Sequence, residues 1–367
     1  IAFNVWQYYQ ATDDEEFLSF YGAEMILDIA RFWASIASWN PDRDRYDIHS
    51  VVGPDEFQTQ DPNSDEPGLT NNAYTNIMAA WTIRCARRAL HAIPDDRVAE
   101  LREQLDISEE DLKRWDHIAA NLYVPFHEDG IISQFEGYEE LKEFDWDGYH
   151  QKYDDIQRLD RILESEDDSP NNYKASKQAD VLMLFYLFSA EELAGIFEQL
   201  GYEFDEETIP RNIRYYNKRT SHGSTLSRVV SVWVQARARR DTAWSVFENA
   251  LESDVKDIQG GTTSEGIHLG AMAGTVDIMQ RCYTGMEIRD DVLWFAPFLP
   301  PDLSDIHFVM RFRGHTLSLE INHEQIKISS CKDGPRPIKI GINGRVAELY
   351  EGHTRTEKLE TTARSST

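Results

Sequence analysis

Apolar residues recur at helical spacing through most of the first 290 residues and then, after Met286, switch to alternation. A repeat of three to four commits a segment to burying one stripe of a helix, whereas a repeat of two commits it to one face of a sheet. The switch therefore divides the chain into a helical body and a β appendage. The helical runs are Phe17 to Ser38, Ala73 to His91, Glu109 to Tyr123, Ser176 to Phe188, Ala190 to Leu200, Thr225 to Arg239, Thr242 to Leu251 and Ile267 to Tyr283, separated by loops rich in Asp, Gly, Pro and Asn. Many amphipathic helices joined by long loops point to a helical barrel or toroid, and loops of that length inside a compact domain usually carry function. Ser189 reads as an N-cap for the run from Ala190, and Gly201 as its stop. Beyond Met286 the runs Val292 to Phe295, Ile306 to Phe312, Thr316 to Ile321, Gln325 to Ile328 and Ile338 to Ile340 alternate with period two, with Gly314-His315 and Gly334-Pro335 between them. The expectation is a mainly α domain over 1–288 and a small antiparallel β-sheet domain over 289–367, whose polar tail from about Thr354 reads as flexible.

Charge and cysteine usage narrow the function. The 367 residues carry a net charge of -28 with a pI near 4.7, and so acidic a surface repels phosphate backbones and anionic lipid. Neither nucleic acid nor membrane is expected as a partner, and any phosphate site must be local. Cys85, Cys282 and Cys331 show no paired spacing for disulfides or zinc, which fits a reducing cytoplasm without a metal cofactor. No apolar run is long enough to span a bilayer. The opening stretch Ile1 to Tyr9 is apolar and aromatic from its first residue and reads as the middle of a core helix. The chain is therefore expected to be part of a longer polypeptide, with upstream pieces of any active site outside it.

Four segments carry candidate chemistry. Gly53-Pro54-Asp55-Glu56 sets two carboxylates on a stiff turn ahead of the helix that starts near Ala73, where an acid catalyst could sit or two solvated acids could lie. Lys177-Gln178-Ala179-Asp180 opens a buried helix, and a lysine there opposes the helix dipole. Either a ligand, a buried carboxylate such as Asp180, or plain solvation satisfies it. Thr220-Ser221-His222-Gly223-Ser224-Thr225 precedes another helix and combines hydroxyls, an imidazole and free amides, the composition of an anion pocket or of an elaborate N-cap. Arg211, Arg214, Lys218 and Arg219 add positive charge just before it, with no acid between Thr208 and Thr225. The last segment, Gly260 to Gly274, enters a helix through glycines. There Glu265 is a candidate second carboxylate, with His268 expected on the same helix face, while Gly270, Ala273 and Gly274 suit close helix contact.

Taken in order, Asn4-Val5-Trp6-Gln7-Tyr8-Tyr9, Gly53-Pro54-Asp55-Glu56-Phe57, Asn71-Asn72-Ala73-Tyr74-Thr75-Asn76, Lys177-Gln178-Ala179-Asp180-Val181, Thr220-Ser221-His222-Gly223-Ser224 and Glu265-Gly266-Ile267-His268 resemble the sugar phosphorylases of glycoside hydrolase family 65, which include maltose, trehalose and kojibiose phosphorylases. The resemblance implies a partial (α/α)6 barrel followed by the β-sheet domain. It implies that Glu56 is the general acid, that Lys177 and Gln178 hold the glucosyl unit, and that Ser221, His222, Gly223 and Ser224 bind phosphate. The implied reaction is inverting phosphorolysis of an α-linked glucose disaccharide, with inorganic phosphate as co-substrate and no cofactor. An inverting hydrolase of the same family and a non-catalytic carbohydrate-binding or assembly module are the alternatives. The family's amino-terminal β-sandwich and first barrel helices are absent from this chain, so the isolated chain is expected to be inactive. The stretch Thr59 to Leu69 is longer and more acidic than in shorter-loop relatives and lies where an acceptor sugar could be selected. Acceptor, linkage and a homodimer are left open.

Overall fold

The computed structural model describes residues 1–61, 64, 66–128, 130–238, 243–252, 254–256, 266–331 and 336–359. Its helical part runs α1 (Ala2–Thr12), α2 (Glu15–Phe17), α3 (Ala23–Ile36), α4 (Ala73–Ala92), α5 (Asp95–Gln104), α6 (Glu109–Asn121), α7 (Trp146–Lys152), α8 (Leu159–Ser165), α9 (Asp180–Leu187), α10 (Ala190–Gln199), α11 (Thr208–Asn217), α12 (Thr225–Ala238), α13 (Ala243–Leu251) and α14 (Leu269–Asp277). Two short ribbons lie among them, β1 (Ser38–Asn40) with β2 (Arg45–Asp47) and β3 (Phe126–His127) with β4 (Ile131–Ile132). Local chemistry explains the helix ends. Ser108 and Asp111 form a reciprocal capping box on α6, Ser189 and Glu192 form one on α10, and Gly201 ends α10 in the left-handed conformation at φ 75°.

Helix α4 is the central strut. Thirteen of its residues from Ala73 to Leu90 are buried, and it packs against α3, α6 and α9. The Asn71-Asn72-Ala73-Tyr74-Thr75-Asn76 motif anchors its start. Asn72 caps the helix by accepting from the Thr75 amide at 2.9 Å, Asn71 donates to Asp47 at 2.9 Å and Glu136 at 2.7 Å, and Asn76 donates to the Tyr123 carbonyl at 2.8 Å. Buried amide donors paired in this way cost little, whereas an orphaned one costs about 1–3 kcal/mol.

The first strand of the sheets is β5 (Glu287–Arg289), so the change of pattern placed at 288 falls inside it. It is followed by β6 (Val292–Phe295), β7 (Asp305–Phe312), β8 (His315–Asn322), β9 (Gln325–Ser330), β10 (Ile338–Ile342), β11 (Arg345–Leu349) and β12 (Thr354–Lys358). They make two four-stranded sheets, β11-β10-β6-β5 and β12-β9-β8-β7. The expected antiparallel pairing holds except between β10 and β6, which run parallel. Buried side chains of the helices and of both sheets form one continuous core, so the β part is packed onto the helices rather than tethered to them. Among the described residues no helix is long and apolar enough to cross a membrane. The turn Gly334-Pro335 lies outside the described residues.

The tail requires a correction. Thr354 to Lys358 was expected to be flexible, yet it pairs with β9 in register from Thr354 opposite Ser329 to Lys358 opposite Gln325. Alternate residues Arg355 and Glu357 are partly buried, and Arg355 donates to the Ile340 carbonyl at 2.6 Å, which ties this edge strand to the other sheet. Polar composition misled here because an edge strand leaves most of its side chains in water. Hydrogen exchange followed by mass spectrometry is expected to show slowed exchange in a peptide spanning 354–358. Exchange at the rate of an unstructured peptide would contradict the pairing.

Candidate active site

The Gly53-Pro54-Asp55-Glu56 turn is pinned on both sides of Glu56. Asp55 is buried, Glu56 points outward and Phe57 is buried again. Phe57 seats in a small apolar cluster with Phe144, Leu159, Leu163 and Ala175, and the Gln58 amide donates to the carbonyls of Pro170, Tyr173 and Ala175 at 3.2, 3.0 and 2.6 Å. With its neighbours fixed, Glu56 has little freedom beyond its own rotamers. Its side chain is 73% exposed, and its Oε2 accepts from Lys177 Nζ at 2.9 Å.

This contact corrects the reading of Lys177. Helix α9 begins at Asp180, with Ala179 as its N-cap, so Lys177 lies in the turn before the helix and does not oppose its dipole from within. Its carboxylate partner is Glu56, 121 residues away in sequence, rather than Asp180. Its backbone amide donates to Asp55 Oδ1 at 3.0 Å. Gln178 turns the other way: its amide meets the Met183 sulfur, and it borders a cavity of about 430 Å³ lined also by Tyr186, Leu226, Gly270 and Gln280. That cavity opens beside Gln178 rather than around Glu56.

Asp55 and Asp180 form a buried core beneath the turn, 3% and 2% exposed. Asp180 Oδ1 accepts the Asp55 amide at 2.6 Å, and Asp180 Oδ2 accepts Asn72 Nδ2 at 2.6 Å. Desolvation raises the pKa of both carboxyl groups, and the charge of Asp55 raises Asp180 further. Against this, the Ser176 hydroxyl and the amides of Lys177, Phe57 and Gln178 pull Asp55 back down.

The Ser221-to-Ser224 loop lies alongside. A parallel bridge joins Ser176 to Thr220, with the Ser176 amide donating to Arg219 O at 2.7 Å and the Ser221 amide to Ser176 O at 2.8 Å. The residue before Lys177 is thereby stitched to the loop. His222 takes a left-handed backbone at φ 55°, and its Nδ1 pairs with the Ser227 hydroxyl at 2.9 Å. Burial, and then the charge of Arg228, push the imidazole down to about 4, so at neutral pH it is an uncharged hydrogen-bonding group. Ser224 Oγ accepts the Leu226 amide at 3.3 Å, which is the capping role that was the alternative to anion binding. At Gly223 an added Cβ would lie 2.3 Å from the Gln157 carbonyl oxygen and 3.4 Å from Lys177 Cγ, so the close approach that this glycine permits is to Gln157.

Two features of the surroundings were not read from the sequence. Three of the four cations ahead of the loop are compensated: Arg219 holds Glu143 at 2.8 and 3.1 Å and lies over the Tyr215 ring, Arg211 pairs with Asp205 and Arg214 with Glu207. The cation that acts on His222 is Arg228, in the first turn of α12. The segment from Asp155 into the start of α8 also packs against the site. Asp155 counters the burial of Arg228, and Asp160, held by Arg158 at 3.2 and 3.3 Å, is close enough to feel Lys177. Glu265 lies outside the described residues. His268 precedes α14 rather than lying within it, and it pairs with Asp254 at 2.7 Å. Among the described residues no cluster of three metal-ligating side chains occurs.

The family model described as the glycosyl hydrolase family 65 central catalytic domain matches residues 1–277, and its C-terminal domain matches 286–349. The chain belongs to glycosyl hydrolase family 65. An uncharacterized glycosyl hydrolase of Mycobacterium tuberculosis (strain H37Rv) is 49% identical over 354 residues, covering 96% of this chain and 27% of that protein. Trehalose 6-phosphate phosphorylase of Lactococcus lactis (strain IL1403) is 36% identical over 91% of this chain and 42% of its own length. Kojibiose phosphorylase of Caldanaerobacter subterraneus is 31% identical over 95% of this chain and 43% of its own length. The chain thus spans between a quarter and a half of these relatives. A solved structure from the human microbiome that carries a kojibiose phosphorylase name superposes with a TM-score of 0.78 at 21% identity, over 98% of this chain and 49% of that one, which shows the fold alone.

In this family-65 chain the acid turn packs directly on Asp180. A Cβ added at Gly53 would stand 1.8 Å from Asp180 Oδ2 and 2.6 Å from Asn72 Nδ2, both buried and neither free to retreat. Gly53→Ala is expected to lower unfolding stability by about 1–3 kcal/mol through overpacking. Denaturant titration checks this, and a variant as stable as the parent would contradict the packing described.

Proposed function

We propose that the protein to which these residues belong catalyses inverting phosphorolysis of an α-linked glucose disaccharide, giving β-glucose 1-phosphate and a free sugar. The observation that carries this reading is the placement of one outward carboxylate, Glu56, on a pinned turn beside Lys177, which is itself stitched to the acid-free Ser221-to-Ser224 loop. Inversion by a phosphorylase needs one proton donor and one anion site on opposite faces of the anomeric carbon. The bond from the anomeric carbon to the acceptor oxygen breaks while a phosphate oxygen bonds to that carbon. The Glu56 proton goes to the leaving oxygen. An acid must hold its proton when the sugar is in place, so Lys177 leaves Glu56 for a sugar hydroxyl on binding, with Gln178 as a second hydrogen-bonding group. Ser221, Gly223 and Ser224 supply hydroxyls and amides to the phosphate, and the neutral His222 supplies a donor. Two relatives named above for an activity, the trehalose 6-phosphate and kojibiose enzymes, are phosphorylases.

Hydrolysis is the second reading, because the structure adds two carboxylates, Asp155 and Asp160, to the neighbourhood where a base would sit. Both face arginines: Asp160 is held by Arg158, and Asp155 lies opposite Arg228. Such pairing favours anchoring over activation of water.

The deciding experiment uses the full-length protein with a panel that includes trehalose 6-phosphate, kojibiose, maltose and trehalose. Glucose 1-phosphate release is expected only when phosphate is present, and turnover unchanged by its omission would overturn phosphorolysis. Glu56→Gln is expected to reduce turnover about 100-fold to 10,000-fold. His222→Ala is expected to raise the apparent KM for phosphate more than that for the sugar. A mutant that loses only sugar affinity would move the loop to the sugar subsite.

A further inference from the structure

We propose that Asp180 is the positioning residue of the acid turn: from the first turn of α9 its carboxylate aims Glu56 at the glycosidic oxygen. This rests on the reading of Glu56 as the general acid. The geometry is unusually complete. Asp180 is 2% exposed, and both carboxylate oxygens are engaged, Oδ1 by the amide of Asp55 at 2.6 Å and Oδ2 by the side chain of Asn72 at 2.6 Å. The Asp180 amide donates to Gln134 Oε1 at 2.5 Å, and Gln134 Nε2 donates to the Ser176 hydroxyl at 3.1 Å. Apart from the turn, the Asp180 carboxylate is therefore held by Asn72 and its backbone by Gln134.

It touches the turn one peptide before Glu56. The Asp55 amide is the donor, so the hydrogen bond fixes the plane of the Pro54-Asp55 peptide. Asp55 then returns the contact, its Oδ1 accepting from the Lys177 amide three residues before Asp180. The result is a closed circuit in which the acid's turn and the lysine that pairs with the acid are located by the same two carboxylates. Gly53 completes it, since no side chain larger than hydrogen fits against Asp180 Oδ2.

No other function accounts for Asp180 as well. It lies beneath the turn rather than at its surface, so it does not touch substrate, and it is not the partner of Lys177. Its position in the first turn of α9 suits a helix N-terminus, but a capping contact would have satisfied that without a carboxylate buried against a second carboxyl group. Asparagine is a poor substitute. It offers a single acceptor oxygen, and its NH2 would face either the Asp55 amide or Asn72 Nδ2, donor against donor.

A general acid works only within hydrogen-bond reach of the leaving oxygen. The test therefore compares a leaving group that needs the proton with one that does not. In α-glucosyl fluoride the C–F bond breaks with its electron pair departing on fluoride, while a phosphate oxygen bonds to the anomeric carbon. No proton has to be delivered by Glu56. In the full-length protein, Asp180→Asn is expected to lower kcat on the disaccharide found active in the panel by about 100-fold, the cost of misplacing a reacting group by about 1 Å. Turnover of α-glucosyl fluoride with phosphate is expected to fall at least about ten times less, and Glu56→Gln is expected to show the same split. Asn72→Ser retains a cap for the Thr75 amide but removes the donor to Asp180, so it is expected to show a smaller loss with the same split, and it carries the test if Asp180→Asn fails to fold. If Glu56→Gln shows the split while Asp180→Asn and Asn72→Ser lower both substrates equally, or neither, Asp180 is structural only and the proposal is overturned. If Glu56→Gln leaves disaccharide turnover intact, the acid assignment fails and the proposal falls with it.

Discussion

The contact between Asp180 and the Asp55 amide is the point through which the candidate site is assembled. Two fully desolvated carboxyl groups side by side are costly, because burial and mutual repulsion both oppose ionisation. The cost is offset only when the surrounding donors are all in place, and those donors come from three stretches of chain: 55–57, Asn72, and 176–178. Hydrogen bonds to charged groups contribute about 1.5–3 kcal/mol each, and an unmatched one reverses sign as a desolvation penalty. The three stretches are thereby made cooperative. The acid turn, the cap of α4 and the lysine turn form together or are lost together.

Under the proposed phosphorolysis, a strongly acidic chain has to hold an anion. With a net charge of -28 the long-range field disfavours phosphate, so affinity has to come from short contacts in a partly desolvated place, where neighbouring groups count for more than the distant surface. Arg211 and Arg214 of α11 and Arg219 just after it do not supply it, since each is already engaged with an acid. Closer to the loop lie Lys177, whose Cγ is against Gly223 and whose Nζ pairs with Glu56, and Arg228, which acts on His222 and faces Asp155. A neutral imidazole beside a hydroxyl donates or accepts a hydrogen bond without adding charge, so under the proposed reading the hydroxyls and backbone amides of the loop carry most of the phosphate binding.

Legibility from the sequence follows the range of the interaction. The helical runs, the caps at Ser189 and Gly201 and the switch to strands after Met286 depend on residues within a few positions of one another, and the structure shows each of them. Glu56 and the Ser221-to-Ser224 loop were legible as motifs because turn chemistry and glycine are local. The pairing of Glu56 with Lys177 spans 121 residues, and that of Asp55 with Asp180 spans 125. Nothing in periodicity reports such distances, so Lys177 was assigned to the wrong side of a helix start and Asp180 was offered as its partner. The segment from Asp155 to Asp160 was passed over because short, charged helices such as α7 and α8 bury few side chains and leave a weak apolar pattern. One signal was available and unused: a glycine, a proline and an acid in one turn, with a second acid at a helix start, is what a buried carboxylate against backbone requires.

The β-sheets belong to the same mechanical unit as the helices. Arg313, in the turn between β7 and β8, donates its amide to the Ala11 carbonyl at 2.7 Å and its Nε to the Gln10 carbonyl at 3.1 Å, and it pairs with Asp13 at 3.2 Å. Gln10 in turn reaches the Asp290 carbonyl at 3.4 Å. The amide and guanidinium of Arg313 thus occupy the Ala11 and Gln10 carbonyls at the end of α1, which the helix itself cannot satisfy, so a residue about 300 positions away acts as its C-terminal cap. Helix α1 packs on α4, and α4 carries Asn72 at its start. A continuous path of packed elements therefore runs from the sheets through α1 and α4 to Asn72, the residue that holds Asp180.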